Sequence, residues 1–236
     1  MKMKSIGAAV AGAALLMAQA QAQNLLQNGS FEQLLVPGVK VGGGFAGGVV
    51  PGWDGPAASD TGVDVAGGVK APGAQAGGNA AYFHNEDGYA MQTTGTAIVA
   101  GDNYDVNFWT MNIDTYAAGW SGAGVGQISV EVYYANTGNA ILSKDFNLGF
   151  SSNGGTPGTW VNQDVVINAS DIPVAAIGQD IGIKISNTSG AFGVAGSWIY
   201  VDNVSLATTL VPEPSSIVLL GFSALGGLMA LRRRRA

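Results

Sequence analysis

The chain has 236 residues, of which 37 are glycine, one is histidine and none is cysteine, with 10 Lys+Arg against 16 Asp+Glu. An apolar content of 47% is enough for a folded core and excludes wholesale disorder. The absence of cysteine excludes disulfide scaffolds, thiolate catalysis and cysteine-ligated metal centres, and the single His84 excludes a multi-histidine site within one chain.

The N-terminus reads Lys2 and Lys4, an apolar run from Ile6 to Ala18, then Ala18-Gln19-Ala20 and Ala20-Gln21-Ala22. This order predicts a secretory signal peptide over residues 1–22, cut by signal peptidase after Ala22, or after Ala20. The segment 23–209 that follows carries four lysines (Lys40, Lys70, Lys144, Lys184) and fifteen acids, a net charge of −11. Such a surface repels nucleic acid and anionic lipid and favours divalent cations.

From Pro37 to Gly78 the sequence is glycine-rich with few strand formers, as in long loops. Period-two runs then predict half-buried strands. Tyr104, Val106 and Phe108 alternate with Asp105, Asn107 and Trp109. Ile128, Val130, Val132 and Tyr134 alternate with Ser129, Glu131 and Tyr133, and Ile181, Ile183 and Ile185 with Gly182, Lys184 and Ser186. Trp198 to Leu206 is a final run whose alternation is blurred at Asp202-Asn203. Turn clusters such as Gly77-Gly78-Asn79 and Gly101-Asp102-Asn103 separate these runs. The expected fold is all-β, one antiparallel β-sandwich over 23–209.

A tryptophan among amides and carboxylates on a wet sheet face suits a sugar, whose faces stack on aromatic rings. Trp109, Asn107, Glu131 and Tyr133 are therefore candidate ligand-binding residues, with Trp120 reaching in from the loop that contains Tyr116. The alternative for Trp109 is packing beneath the glycine-rich segment. Trp53, in Pro51-Gly52-Trp53-Asp54, reads as a packing anchor, Trp160 as core-facing and His84 as a loop or strand-end residue. Oxygen ligands are plentiful, so a bound metal is expected to be calcium-like. Glu32 and Asp202 are candidate ligands that only the fold can bring together.

The C-terminus reads Val211-Pro212-Glu213-Pro214-Ser215, an apolar run from Ile217 to Leu231, then four arginines, Arg232 to Arg235. As a single hydrophobic helix the run reaches about 22 Å, short of the roughly 30 Å hydrocarbon core. The arginines fix its cytoplasmic end. This tail, 210–236, resembles the PEP-CTERM sorting signal, with Pro212, Glu213 and Pro214 as its motif. The resemblance implies an intermediate anchored in the inner membrane by this transmembrane helix, then exosortase cleavage and delivery to the cell surface or beyond.

The segment Asn24-Leu25-Leu26-Gln27-Asn28-Gly29-Ser30-Phe31-Glu32 resembles the opening strand of carbohydrate-binding modules of families 4 and 9, which are galactose-binding-like. Pro51-Gly52-Trp53, the run from Gly101 to Trp109, Trp160, and the run from Trp198 to Leu206 follow in the family's order. The resemblance implies a jelly roll with adjacent first and last strands, and a structural calcium at Glu32 and Asp202. No catalytic domain accompanies the module, which shifts the expected role from polysaccharide degradation to adhesion or matrix. The leading expectation is an exported surface or matrix protein that binds extracellular polysaccharide without catalysis and is not an enzyme. The alternative is a structural or adhesive protein with no glycan site. An enzymatic reading, with Glu131 on the same face as Trp109, is set aside because the acids are scattered and no catalytic residue stands out.

Overall fold

Alternating apolar side chains turn the middle of the chain into two sheets that close on each other. The computed structural model describes residues 23–37, 41–42, 44–57, 61–65, 74–83, 88–113, 126–148, 159–188 and 198–209. The expected signal peptide, the sorting tail with its hydrophobic helix, His84, Tyr116 and Trp120 lie outside the described residues.

In chain order the strands are β1 (Val41–Gly42), β2 (Thr61–Val65), β3 (Asn79–Phe83), β4 (Tyr89–Ala97), β5 (Asn103–Ile113), β6 (Gly126–Tyr134), β7 (Ala140–Leu148), β8 (Val161–Ile167), β9 (Asp180–Asn187) and β10 (Trp198–Thr209). One sheet has the order β1-β2-β3-β10-β5-β8, the other β4-β9-β6-β7. The result is a jelly-roll β-sandwich, and residues Gln21–Thr208 make one compact unit.

Val106 and Phe108 of β5, Val165 and Ile167 of β8, and Val201, Val204 and Leu206 of β10 meet Ile128, Val130 and Val132 of β6 and Ile181, Ile183 and Ile185 of β9. Each such side chain removed from water contributes about 1.5–3 kcal/mol before entropy is counted. The edge-on contact of Phe108 with Phe146, centroids 5.3 Å apart, joins the two sheets.

The opening segment runs along β10. Leu25 N–H donates to the Leu206 carbonyl at 2.7 Å, Val204 N–H to the Gly29 carbonyl at 2.9 Å, and Leu206 N–H to Asn24 Oδ1 at 3.0 Å. A Cβ at Gly29 would strike the Val204 carbonyl, so the approach requires glycine there. Asn28 and Phe31 both take left-handed backbone conformations, at φ 52° and 56°. The Asn28 side chain holds the turn, donating to the Gln33 and Pro51 carbonyls. The Asn28 backbone carbonyl accepts the Trp53 indole N–H at 3.0 Å. The bend drives the Phe31 ring into the core, 5.1 Å from Trp53, and leaves Glu32 outside. Trp53 is the packing anchor its setting suggested.

In β10, Ile199 and Val201 point into the core and so do Val204 and Leu206, because Asn203 adopts φ 49° and shifts the alternation by one residue. Tyr200 and Asp202 thereby fall on the outer face of the six-stranded sheet. The blur at Asp202-Asn203 is this inserted residue.

Candidate functional site

A second apolar cluster lies on that outer face, separate from the main core. Ala80 and Tyr82 of β3, Met111 of β5 and Tyr200 of β10 are buried there, with Ala74 and Trp160 packed against them. Trp160 therefore packs outside the core, contrary to expectation. The Tyr82 and Tyr200 rings have centroids 6.3 Å apart at 41°. β2 adds the buried Asp64, whose Oδ2 accepts the Tyr200 hydroxyl at 3.2 Å. A buried carboxylate needs such partners, since its desolvation is otherwise unfavourable.

Beside this cluster, the turn at 75–79 wraps two carboxylates. Asp202 Oδ2 accepts the backbone N–H groups of Gln75 (3.0 Å) and Ala76 (3.1 Å), and its Oδ1 that of Asn203 (2.7 Å). Glu32 Oε1 accepts those of Gly78 and Asn79, each at 2.9 Å. The Asn79 amide donates to the Phe31 carbonyl, and the Asn203 amide to Gln75 Oε1. Gly77, at φ 71°, has no room for a Cβ against the Glu32 carboxylate. Burial pushes the Asp202 carboxyl up to about 6; the three backbone N–H groups oppose this and the charge of Glu32 adds to it. Residues 170 positions apart thus form one acidic site, although no group of three or more His, Cys, Asp or Glu suited to a metal occurs among the described residues.

Further along the same face, Asn107 and Asn162 exchange amide hydrogen bonds at 2.9 Å beside the half-buried Trp109. Trp109 and Asn162 are directly paired across β5 and β8.

The other expected ligand residues lie elsewhere. Glu131 and Tyr133 belong to β6, on the outer face of the four-stranded sheet, so Glu131 does not share a face with Trp109 as expected. Glu131 lies opposite Lys184 and Oε1 accepts the Gly138 N–H at 3.1 Å. Tyr133 is buried against Gly182, with its hydroxyl 2.9 Å from Thr93 Oγ1. Burial raises its pKa, and Glu131 and Asp54 add to the rise. The proposed platform is therefore divided between opposite sides of the sandwich. Sequence reading missed Tyr82, Met111, Tyr200 and Asp64. The available signal was weak: Asp64 sits between Val63 and Val65, and Tyr200 between Ile199 and Val201, each out of phase with core residues.

This geometry defines a jelly-roll domain with a buried aromatic and acidic patch outside its core, followed by a PEP-CTERM protein-sorting motif whose model matches residues 210–235. The HpiC1-like model, described as HpiC1 cyclase, matches residues 22–207, and the chain belongs to this family. The chain is similar in fold to a Stig cyclase from Fischerella sp. TAU in complex with (3Z)-3-(1-methyl-2-pyrrolidinylidene)-3H-indole. Identity is 20%, coverage 80% of this chain and 98% of that one, and the TM-score 0.56. A cyclase from the same organism in complex with 4-(1H-indol-3-yl)butan-2-one gives 20% identity, the same coverages and a TM-score of 0.55. A putative sugar binding protein from Bacteroides thetaiotaomicron is also similar, at 14% identity, 79% and 100% coverage and a TM-score of 0.46. No curated protein sequence matches the chain. Membership in a cyclase family overturns the expectation that the protein is not an enzyme. The sorting motif marks an exported protein that passes through a membrane-anchored intermediate and is processed by exosortase.

Proposed function

We propose that the exported domain is a cyclase-type catalyst for a small, largely apolar molecule held on the outer face of the six-stranded sheet. The observation that carries this reading is the buried hydrogen bond from the Tyr200 hydroxyl to Asp64, set among Tyr82, Met111 and Trp160 and outside the main core. The rings and the thioether supply apolar contact. Asp64, as acceptor, increases electron density on the phenolic oxygen. The pair can then take a proton from a substrate N–H or O–H and return it along the same hydrogen bond, which is general acid–base catalysis. After processing, the protein works at the cell surface or in the extracellular matrix. Binding of 4-(1H-indol-3-yl)butan-2-one, followed calorimetrically, tests the patch. The purified protein should bind it, and Trp160→Ala should weaken binding about tenfold, equivalent to roughly 1.4 kcal/mol. No binding, or equal binding by the variant, contradicts the reading.

We infer further that Glu32 and Asp202 hold a structural calcium ion, with backbone carbonyls completing the shell. Both ligands are hard oxygens, as calcium requires. A cation there would neutralise two close carboxylates and tie the 75–79 turn to β10, two residues from Tyr200. Because the folded-state pKa of Asp202 is raised, its ionisation makes the metal-free fold less stable as pH rises through about 4 to 6. Calcium, which binds the ionised form, offsets this loss above about pH 6. Calcium added to metal-free protein should raise the melting temperature at neutral pH, and the gain should shrink as Asp202 takes up a proton. Asp202→Ala should abolish it. An unchanged melting temperature with the ion at neutral pH rules the site out.

A second reading is binding of extracellular polysaccharide, favoured by one observation: the half-buried Trp109 beside the exposed Asn107–Asn162 amide pair. A sugar ring would stack on the indole while the amides bond its hydroxyls. Affinity electrophoresis through gels containing the producing cell's exopolysaccharide should retard the protein, and Trp109→Ala should restore free mobility. Uniform mobility across polysaccharides withdraws the sugar site.

A further inference from the structure

On the outer face of the six-stranded sheet, Asp105 of β5 lies opposite Val166 of β8, and Asn107 lies opposite Asp164. Asp105 and Asp164 are therefore diagonal neighbours across the pair, within side-chain reach. Asp105 Oδ1 is buried and has no hydrogen-bond partner. Two carboxylates offer only acceptors to each other, so a bond between them requires a proton. Among the described residues, β8 is an edge strand that pairs with β5 alone.

We propose that Asp105 and Asp164 share one proton that latches the edge strand β8 onto β5, and that losing this proton loosens the strand. Burial first, then the hydrogen bond and the charge of Asp164, push the Asp105 carboxyl up to about 6. Nothing cationic opposes this on the neighbouring strands. No lysine, arginine or histidine occurs in β5, β8 or β10. Asp102 precedes β5, and β10 contributes Asp202, itself an acid. On β7, which packs against β5 across the core, Asp145 is exposed and the Lys144 ammonium sits over the Phe146 ring, 4.9 Å from its centroid. Ionising both aspartates therefore leaves two negative charges side by side on the one pairing that holds β8. The raised pKa makes the closed pair most stable at low pH, and its contribution falls as pH rises from about 4 through about 6.

The latch also bears on the aromatic patch, because Trp160 directly precedes β8 while Met111 belongs to β5. A loosened β8 would draw Trp160 off Met111 and Tyr200, making the patch pH-sensitive. That consequence rests on the proposed catalytic reading; the latch itself does not.

Hydrogen exchange read by mass spectrometry on the purified protein separates the two. Protection factors, corrected for the intrinsic pH dependence of exchange, are compared for 161–167 and for the central strand β6. Between pH 5 and 7.5 the protection of β8 should fall about tenfold, the change that one pKa unit represents, while β6 stays constant. In Asp164→Asn the amide can donate to the Asp105 carboxylate without a shared proton, so the fall should shrink to the part that burial of Asp105 alone produces. Asp105→Asn reads the same bond from the other side and serves if the first variant does not fold. Constant protection of β8 in the wild type, or a fall of undiminished size in a folded variant, overturns the latch whatever the protein binds.

Discussion

A buried carboxylate on the last strand organises the outer face of the six-stranded sheet. Asp202 has no water to hydrate it and gathers three backbone N–H groups instead, two of them from the turn at 75–76. That turn also carries the N–H groups that bind Glu32, so the opening and closing segments of the chain meet around it. Asp202 can occupy this position because Asn203 takes a left-handed conformation and slips the alternation of β10. Without the slip, either Asp202 or Val204 would face the wrong way. One strained residue thus separates a strand that fills the core from a strand that also builds a site.

The same slip leaves Tyr200 on the outer face, where it meets Tyr82, Met111 and Asp64. This cluster removes aromatic surface from water on the outer side of the sheet, in addition to the packing between the sheets. Here it adjoins a row of acids, Asp64, Asp202, Asp105 and Asp164, in a segment whose net charge is −11. A neutral or positively charged guest fits such surroundings and an anionic one does not. Two of these acids, Asp105 and Asp202, have carboxyls raised to about 6, each chiefly by burial. The face is therefore responsive to pH in a range where ordinary carboxylates are not.

The strands of the fold were largely legible, because alternation is a local property. β5, β6 and β9 present the inward residues that their period-two patterns indicate. The meeting of Glu32 and Asp202 was legible only through family resemblance, since no local pattern links residues so far apart. What failed was the assignment of faces to sheets. Glu131, Tyr133, Asn107 and Trp109 are all out of phase with the core, yet alternation does not say which sheet a strand joins, and these four divide between opposite sides. Tyr200 and Asp64 were missed for a related reason: in β-rich sequence, a tyrosine or aspartate out of phase with its neighbours looks solvated until a second layer of packing covers it. The enzymatic reading was discarded because the acids are dispersed in sequence, whereas strand order β2-β3-β10-β5-β8 places them on one surface.

The proposed catalysis requires that small molecules bind at the patch around Tyr200 and Asp64. A crystal structure of the protein grown with 4-(1H-indol-3-yl)butan-2-one tests it most directly. The indole should lie against Tyr82, Met111 and Trp160, with a polar atom of the ligand at the Tyr200 hydroxyl. Ligand density on the four-stranded sheet, near Glu131 and Lys184, with the patch around Tyr200 empty, would contradict it.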